Sequence, residues 1–80
     1  MNLGAVSAGW LKAAGIQTTA ELQRLGAVAA FRRVAMHRGG AGVTYNLLFA
    51  LEGALRGIRW DRLPIALREE LKQAADAPPA

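Results

Sequence analysis

The chain has no cysteine. That excludes both a disulfide framework and a thiolate metal site, so packing alone must hold the fold. Histidine occurs only as His37 and serine only as Ser7. A Ser-His-acid arrangement would have to recruit both, and Ser7 stands where a helix start would use its hydroxyl as a cap. The six carboxylates, Glu21, Glu52, Asp61, Glu69, Glu70 and Asp76, are scattered. No pair is spaced for acid–base work or for gripping a cation, and Glu69-Glu70 reads as a solvated helix face. Gly39-Gly40-Ala41-Gly42 lacks the Lys-Ser/Thr that follows a phosphate-cradling loop and reads as a connector. No apolar run approaches the ~20 residues that span a bilayer. No basic segment followed by an apolar block opens the sequence, so a cytoplasmic location is expected. An enzyme, a cofactor and a metal are all unexpected on these grounds.

What is present is a short, apolar, basic chain. Its 80 residues suit one domain near the lower limit for a self-sufficient core, and 52% of them are hydrophobic. The net charge of +4 and the isoelectric point near 10.8 favour an anionic partner, nucleic acid or an acidic protein face. The same excess of Arg over Lys, in a chain rich in Ala, Gly and Leu, is also what a GC-rich genome produces without selection for binding.

Glycines punctuate a series of short helices. Ser7 is placed as N-cap of a first helix over about Ala8 to Ala14, with Val6 and Leu11 as a hydrophobic staple and Gly15 as the left-handed terminator. Thr18 opens a second helix and Glu21 completes an S/T-x-x-E capping box; Gly26 closes that helix or turns a sharp corner. A third helix, about Ala27 to Arg38, places Ala27, Val28, Phe31, Val34 and Ala35 on one face and Arg32, Arg33 and His37 on the other. Thr44 caps a fourth helix to about Arg56, with Val43 and Leu48 as a second staple. Its near-continuous apolar circumference marks it as the central element. Gly53 inside it costs about 1 kcal/mol of propensity, which close approach of a neighbouring helix would offset. After Gly57, Ile58 and Trp60 lead to Pro64 in the first turn of a last helix to about Ala75, which packs Leu67, Leu71 and Ala74 inward and shows Arg68, Glu69, Lys72 and Gln73 to water. No strand pattern, repeat or linker interrupts the series. The expected architecture is all-α: a compact domain of five short helices over residues 1–76, with a frayed tail at 77–80.

Two constellations bear on binding. Asn2-Leu3-Gly4-Ala5-Val6-Ser7-Ala8 resembles the back half of a helix-hairpin-helix, whose turn offers backbone amides to a DNA phosphate. With the preceding helix missing, a structural helix start is the favoured reading. The second is a basic set: Arg32, Arg33, His37 and Arg38 on the third helix, and Arg56, Arg59 and Arg62 around the turn after the fourth. Brought together they form an anion-binding patch; kept apart they are ordinary solvated side chains. Trp10 and Trp60 sit among Leu and Ile, so core packing is favoured for them over base stacking.

The string N-L-G-x-x-S-x-x-W-L-x-x-x-G-I-x-T-x-x-x-L-x-x-L-G-A-V, followed by N-L-L-F-A-L-E-G-A-L-R-G and W-x-x-L-P, resembles the C-terminal domain of the TfoX/Sxy family over about residues 2 to 73. The matching positions include Asn2, Leu3, Gly4, Trp10, Leu11, Gly15, Ile16, Leu22, Leu25, Gly26, Leu48, Gly53, Gly57 and Trp60. The resemblance implies a helix-hairpin-helix-like (SAM-like) helical domain and a part in DNA transformation, as a competence regulator acting alongside the cyclic-AMP receptor protein. Those residues are mostly apolar or Gly and name no active site. The N-terminal domain of the two-domain relatives has no counterpart in this sequence. The reading is therefore a non-enzymatic binding module whose partner is DNA or a transcription-complex protein. The alternative is a protein-interaction module, self-associating as a homodimer, with Tyr45, Phe49 and Met36 as its exposed apolar patch.

Overall fold

The computed structural model describes residues 5–40 and 42–77. They form α1 (Ala5–Ala13), α2 (Thr19–Leu25), α3 (Ala27–Arg38), α4 (Tyr45–Arg56) and α5 (Ile65–Asp76), with one turn of 3-10 helix, Trp60–Arg62, between the last two. The described residues contain no strand, and the fold is the expected all-α globule of five helices.

The starts and stops follow local chemistry. The Thr18 hydroxyl accepts the Glu21 amide at 3.1 Å and caps α2. The other half of the box closes differently: the Thr18 hydroxyl points a 3.3 Å hydrogen bond at the Glu21 carboxylate. Gly26, at φ +82°, both ends α2 through its amide on the Leu22 carbonyl and precedes the first turn of α3. One residue thus makes the whole corner between two helices. At the end of α4, the Gly57 amide returns to Ala54 and the Ile58 amide returns to Gly53, the paired closure that needs a left-handed residue at Gly57, φ +72°.

The first helix departs from expectation. It starts at Ala5, so Ser7 lies inside it and does not serve as its N-cap. Val6 is exposed and forms no staple. The cause is the neutral helix propensity of Ala5-Val6, which lets the helix run back past the polar residue. Asn2-Leu3-Gly4, the turn of the hairpin-like string, lies outside the described residues. Thr44 stands at the N-cap of α4 without a side-chain capping bond.

The core comprises Leu11, Ile16, Leu22, Ala27, Ala30, Val34, Leu47, Leu48, Phe49, Leu51, Leu63 and Leu71. The fourth helix carries the most buried side chains, as its composition predicts. The hub of the packing, however, is α3, which lies against each of the other four α-helices. Its buried residues are Ala27, Ala30 and Val34, and small side chains let several helices approach one axis. In α5 the inward residues are Leu67, Leu71 and Ala75; Ala74 faces out. Tyr45, at the start of α4, donates its hydroxyl to Asp76, at the end of α5, at 2.7 Å, so the start of one helix is tied to the end of the other.

Candidate nucleic-acid interface

The seven basic residues singled out from the sequence have separate fates. Arg32 is committed to the fold. Its guanidinium donates to the carbonyls of Ala74 at 2.8 Å and Ala75 at 3.2 Å, and to that of Ala77. These are the carbonyls a helix end leaves without partners, so Arg32 serves as a cationic cap for α5. It does not point to water beside Arg33 as the helical spacing suggests. Arg33 and His37 are exposed on α3 and make no hydrogen bond or ion pair among the described residues. The Arg38 guanidinium lies over the Trp10 ring, 4.1 Å from its centroid.

The second group surrounds the end of α4. Arg56 pairs with Glu52 at 2.6 Å, one turn back on the same helix, and Arg59 pairs with Asp61 at 3.1 Å. Their side chains stay 52% and 74% exposed. Exposed pairs of this kind are worth only about 0.2–1 kcal/mol, so neither is locked away from an incoming anion. Arg62 is exposed and unpaired among the described residues. Arg38 stands beside Gly42, ahead of α4, whereas Arg56 ends that helix. Arg38 and Arg56 therefore stand near opposite ends of a helix roughly 16 Å long at 1.5 Å per residue. They mark two cationic stations, one toward each end of α4.

Between the stations lies a surface that periodicity did not reveal. Trp60 is 42% exposed, against the expectation of core packing, whereas Trp10 is half-buried and packs against the core as expected. Both tryptophans line a cleft of about 290 Å³ with Ser7, Gly42, Thr44, Asn46, Leu47 and Ala50. A second hollow of about 440 Å³ shares Ala50 and Trp60 and continues along Gly53, Ala54, Gly57, Ile58 and Arg59. Trp60 is held out by Arg68, which donates to the carbonyls of Leu63 at 3.0 Å and Asp61 at 2.8 Å and places its guanidinium 5.9 Å from the indole centroid. Arg68 therefore clasps the 3-10 turn and is not the solvated residue its helix face suggests. Its partners lie five and seven residues back, outside helical spacing.

The profile of the TfoX C-terminal domain matches residues 1–75, nearly the whole chain. The chain belongs to the TfoX C-terminal domain family. No curated protein and no solved structure matches it. Within this TfoX C-terminal domain, the shared positions Leu11, Ile16, Leu22 and Leu48 are core, and Gly53 and Trp60 shape the surface beside α4. The exposed apolar patch expected from Tyr45, Phe49 and Met36 does not form. Phe49 is buried, Tyr45 stacks on Phe31 with centroids 6.2 Å apart, and only Met36 is exposed. Among the described residues no cluster of His, Asp or Glu is placed to hold a metal, and no helix is long and apolar enough to cross a membrane.

Proposed function

We propose that this domain is a non-enzymatic binding module of a competence-type regulator in DNA transformation, and that it works by association with DNA or with a protein–DNA complex. Family membership supplies the setting. The observation that carries the mode is the pair of cationic stations, Arg33 and Arg38 on α3 and Arg56, Arg59 and Arg62 around the end of α4. Arg38 and Arg56 stand about the length of α4 apart, on a chain of net charge +4. Cations spread over such a distance engage several separate backbone phosphates, and each phosphate engaged steepens the dependence on salt.

The test is fluorescence anisotropy of labelled duplex DNA against rising salt. Binding should weaken steeply as salt rises. Replacing Arg33 and Arg62 with Gln should lower the slope of log affinity against log salt by about one for each phosphate no longer engaged. Undetectable binding at low salt, or an affinity indifferent to salt, would count this reading out.

A second reading, docking to a protein, is favoured by one observation. Ile58, Trp60 and Ile65 are exposed at 43%, 42% and 75% within one short stretch, and tryptophan beside arginine is the usual make-up of an interface anchor. Sedimentation would detect self-association through this stretch as a concentration-dependent mass that Ile65→Lys abolishes.

A further inference from the structure

The cleft between the tryptophans has a chemistry that duplex binding does not use. Trp10 and Trp60 both line one cavity of about 290 Å³, near the lower end of small-ligand sites. At its mouth, Ser7, Thr44 and Asn46 make no side-chain hydrogen bond among the described residues. Thr44 stands at an N-cap position yet leaves its helix uncapped. No acidic residue lines the cleft. Positive charge flanks it: the Arg38 guanidinium rests on Trp10 beside Gly42, and Arg68 approaches Trp60.

We infer that this cleft receives an unpaired nucleobase of single-stranded nucleic acid, stacked on Trp60, with the adjoining phosphate drawn to Arg38. Three arguments select this occupant. An indole face is a platform for any base, and guanidinium groups beside it add electrostatic attraction for the backbone. The uncommitted hydroxyls and amide at the mouth would be left unpaired under an apolar helix, whereas the edge of a base carries both donors and acceptors to meet them. A paired base is stacked within its duplex and cannot enter such a cleft without being extruded, so the site distinguishes single strands from double. The cationic stations and the cleft then divide the work: the stations hold the backbone and the cleft holds a base.

This inference rests on the nucleic-acid reading above, and its experiment separates the two. A short oligothymidylate and the duplex it forms with oligoadenylate are each titrated at low salt into the intact 80-residue chain, following indole emission and the anisotropy of the labelled strand. The single strand should quench the indoles. Trp60→Ala should weaken single-strand binding about tenfold, as expected when one stacked base is released, and leave duplex affinity unchanged. Trp60→Phe, which keeps an aromatic face, should restore most of that affinity. Because Trp60 is 42% exposed, removal of its ring should leave the fold intact, and circular dichroism of each variant checks this. If duplex binds but the single strand binds no better in wild type than in Trp60→Ala, the cleft inference is overturned and the backbone reading stands. If neither binds, both are overturned. If both bind with unaltered indole emission, the base does not enter, and the cleft inference falls in favour of a peptide occupant.

Discussion

The carbonyl oxygen of Ile58 lies 2.7 Å from the point where a Cβ on Gly53 would stand, and the Trp60 amide nitrogen lies 3.2 Å from it. The chain leaving α4 folds straight back over the helix's own last turns, and only a residue without a side chain lets the backbone come so close. The helix gives up about 1 kcal/mol of propensity at this position, and in return Trp60 is seated beside Ala50 at the cleft. Gly53→Ala should therefore destabilise the domain by about 1–3 kcal/mol, the usual cost of forcing atoms into a filled space, despite alanine's better propensity. Urea unfolding followed by indole emission checks it. The native spectrum should also shift, because Trp60 must move.

Gly9 supplies the opposite case. It too is helical, but an added Cβ would meet nothing within 4 Å, and the position is exposed in α1. Gly9→Ala should stabilise by about 0.5–1 kcal/mol through propensity alone. The two substitutions are the same chemistry with opposite signs, read as opposite displacements of the urea midpoint.

Gly53 also marks what the sequence makes legible and what it hides. Its presence in an otherwise apolar helix signals a close approach, but not by whom. The sequence points to another helix as the neighbour, and the observed one is the helix's own exit loop. Thr18, Gly26 and Gly57 are readable because their partners are three to five residues away and caps are local chemistry. The bounds of α3 and α4 follow from glycine stops and helical period for the same reason. Ser7 misleads because capping preference is a weak prior against two helix-tolerant residues upstream. The cleft is not legible at all. Ser7, Trp10, Thr44, Asn46 and Trp60 come from α1, the end of the α3–α4 connection, α4 and the 3-10 turn, and no window of sequence contains them together. Periodicity likewise puts Arg32 and Arg33 on the same polar side, while only packing against α5 reveals that one of them is structural.

Those adjacent arginines can be separated experimentally. Arg32 holds carbonyls 42 to 45 residues away in sequence, so Arg32→Ala should cost about 1–2 kcal/mol, within the range for hydrogen bonds to a charged group after allowance for partial exposure. It should speed amide exchange in the last turn of α5. Arg33→Ala should leave stability within about 0.5 kcal/mol, as for surface positions without partners, and weaken duplex DNA binding with a shallower salt dependence. Chemical denaturation and a salt titration, run on both variants, give a crossed pattern; equal effects on stability would contradict the capping role of Arg32.

Tyr45 provides a test of the α4–α5 junction by pH. It is the chain's single tyrosine, so its phenol titrates alone in near-ultraviolet absorbance. The hydrogen bond to Asp76 raises its pKa above the ordinary phenol value, with desolvation and the charge of that carboxylate acting in the same direction. A raised folded-state pKa means that the protonated phenol is favoured by folding. The stabilisation is fully present below the unfolded phenol pKa of about 10 and is lost as pH rises through the higher folded-state value. The phenol's contribution to the junction is therefore unchanged through neutrality and is lost in alkali. Asp76→Ala removes acceptor and charge together, so the absorbance midpoint should move down towards the ordinary phenol value, and the alkaline fall in stability assigned to Tyr45 should shrink with it. An unchanged midpoint in that variant would mean that the carboxylate does not hold the hydroxyl in solution, leaving apolar packing and the Lys72 ammonium, 5.4 Å from the Tyr45 ring centroid, to join α4 and α5.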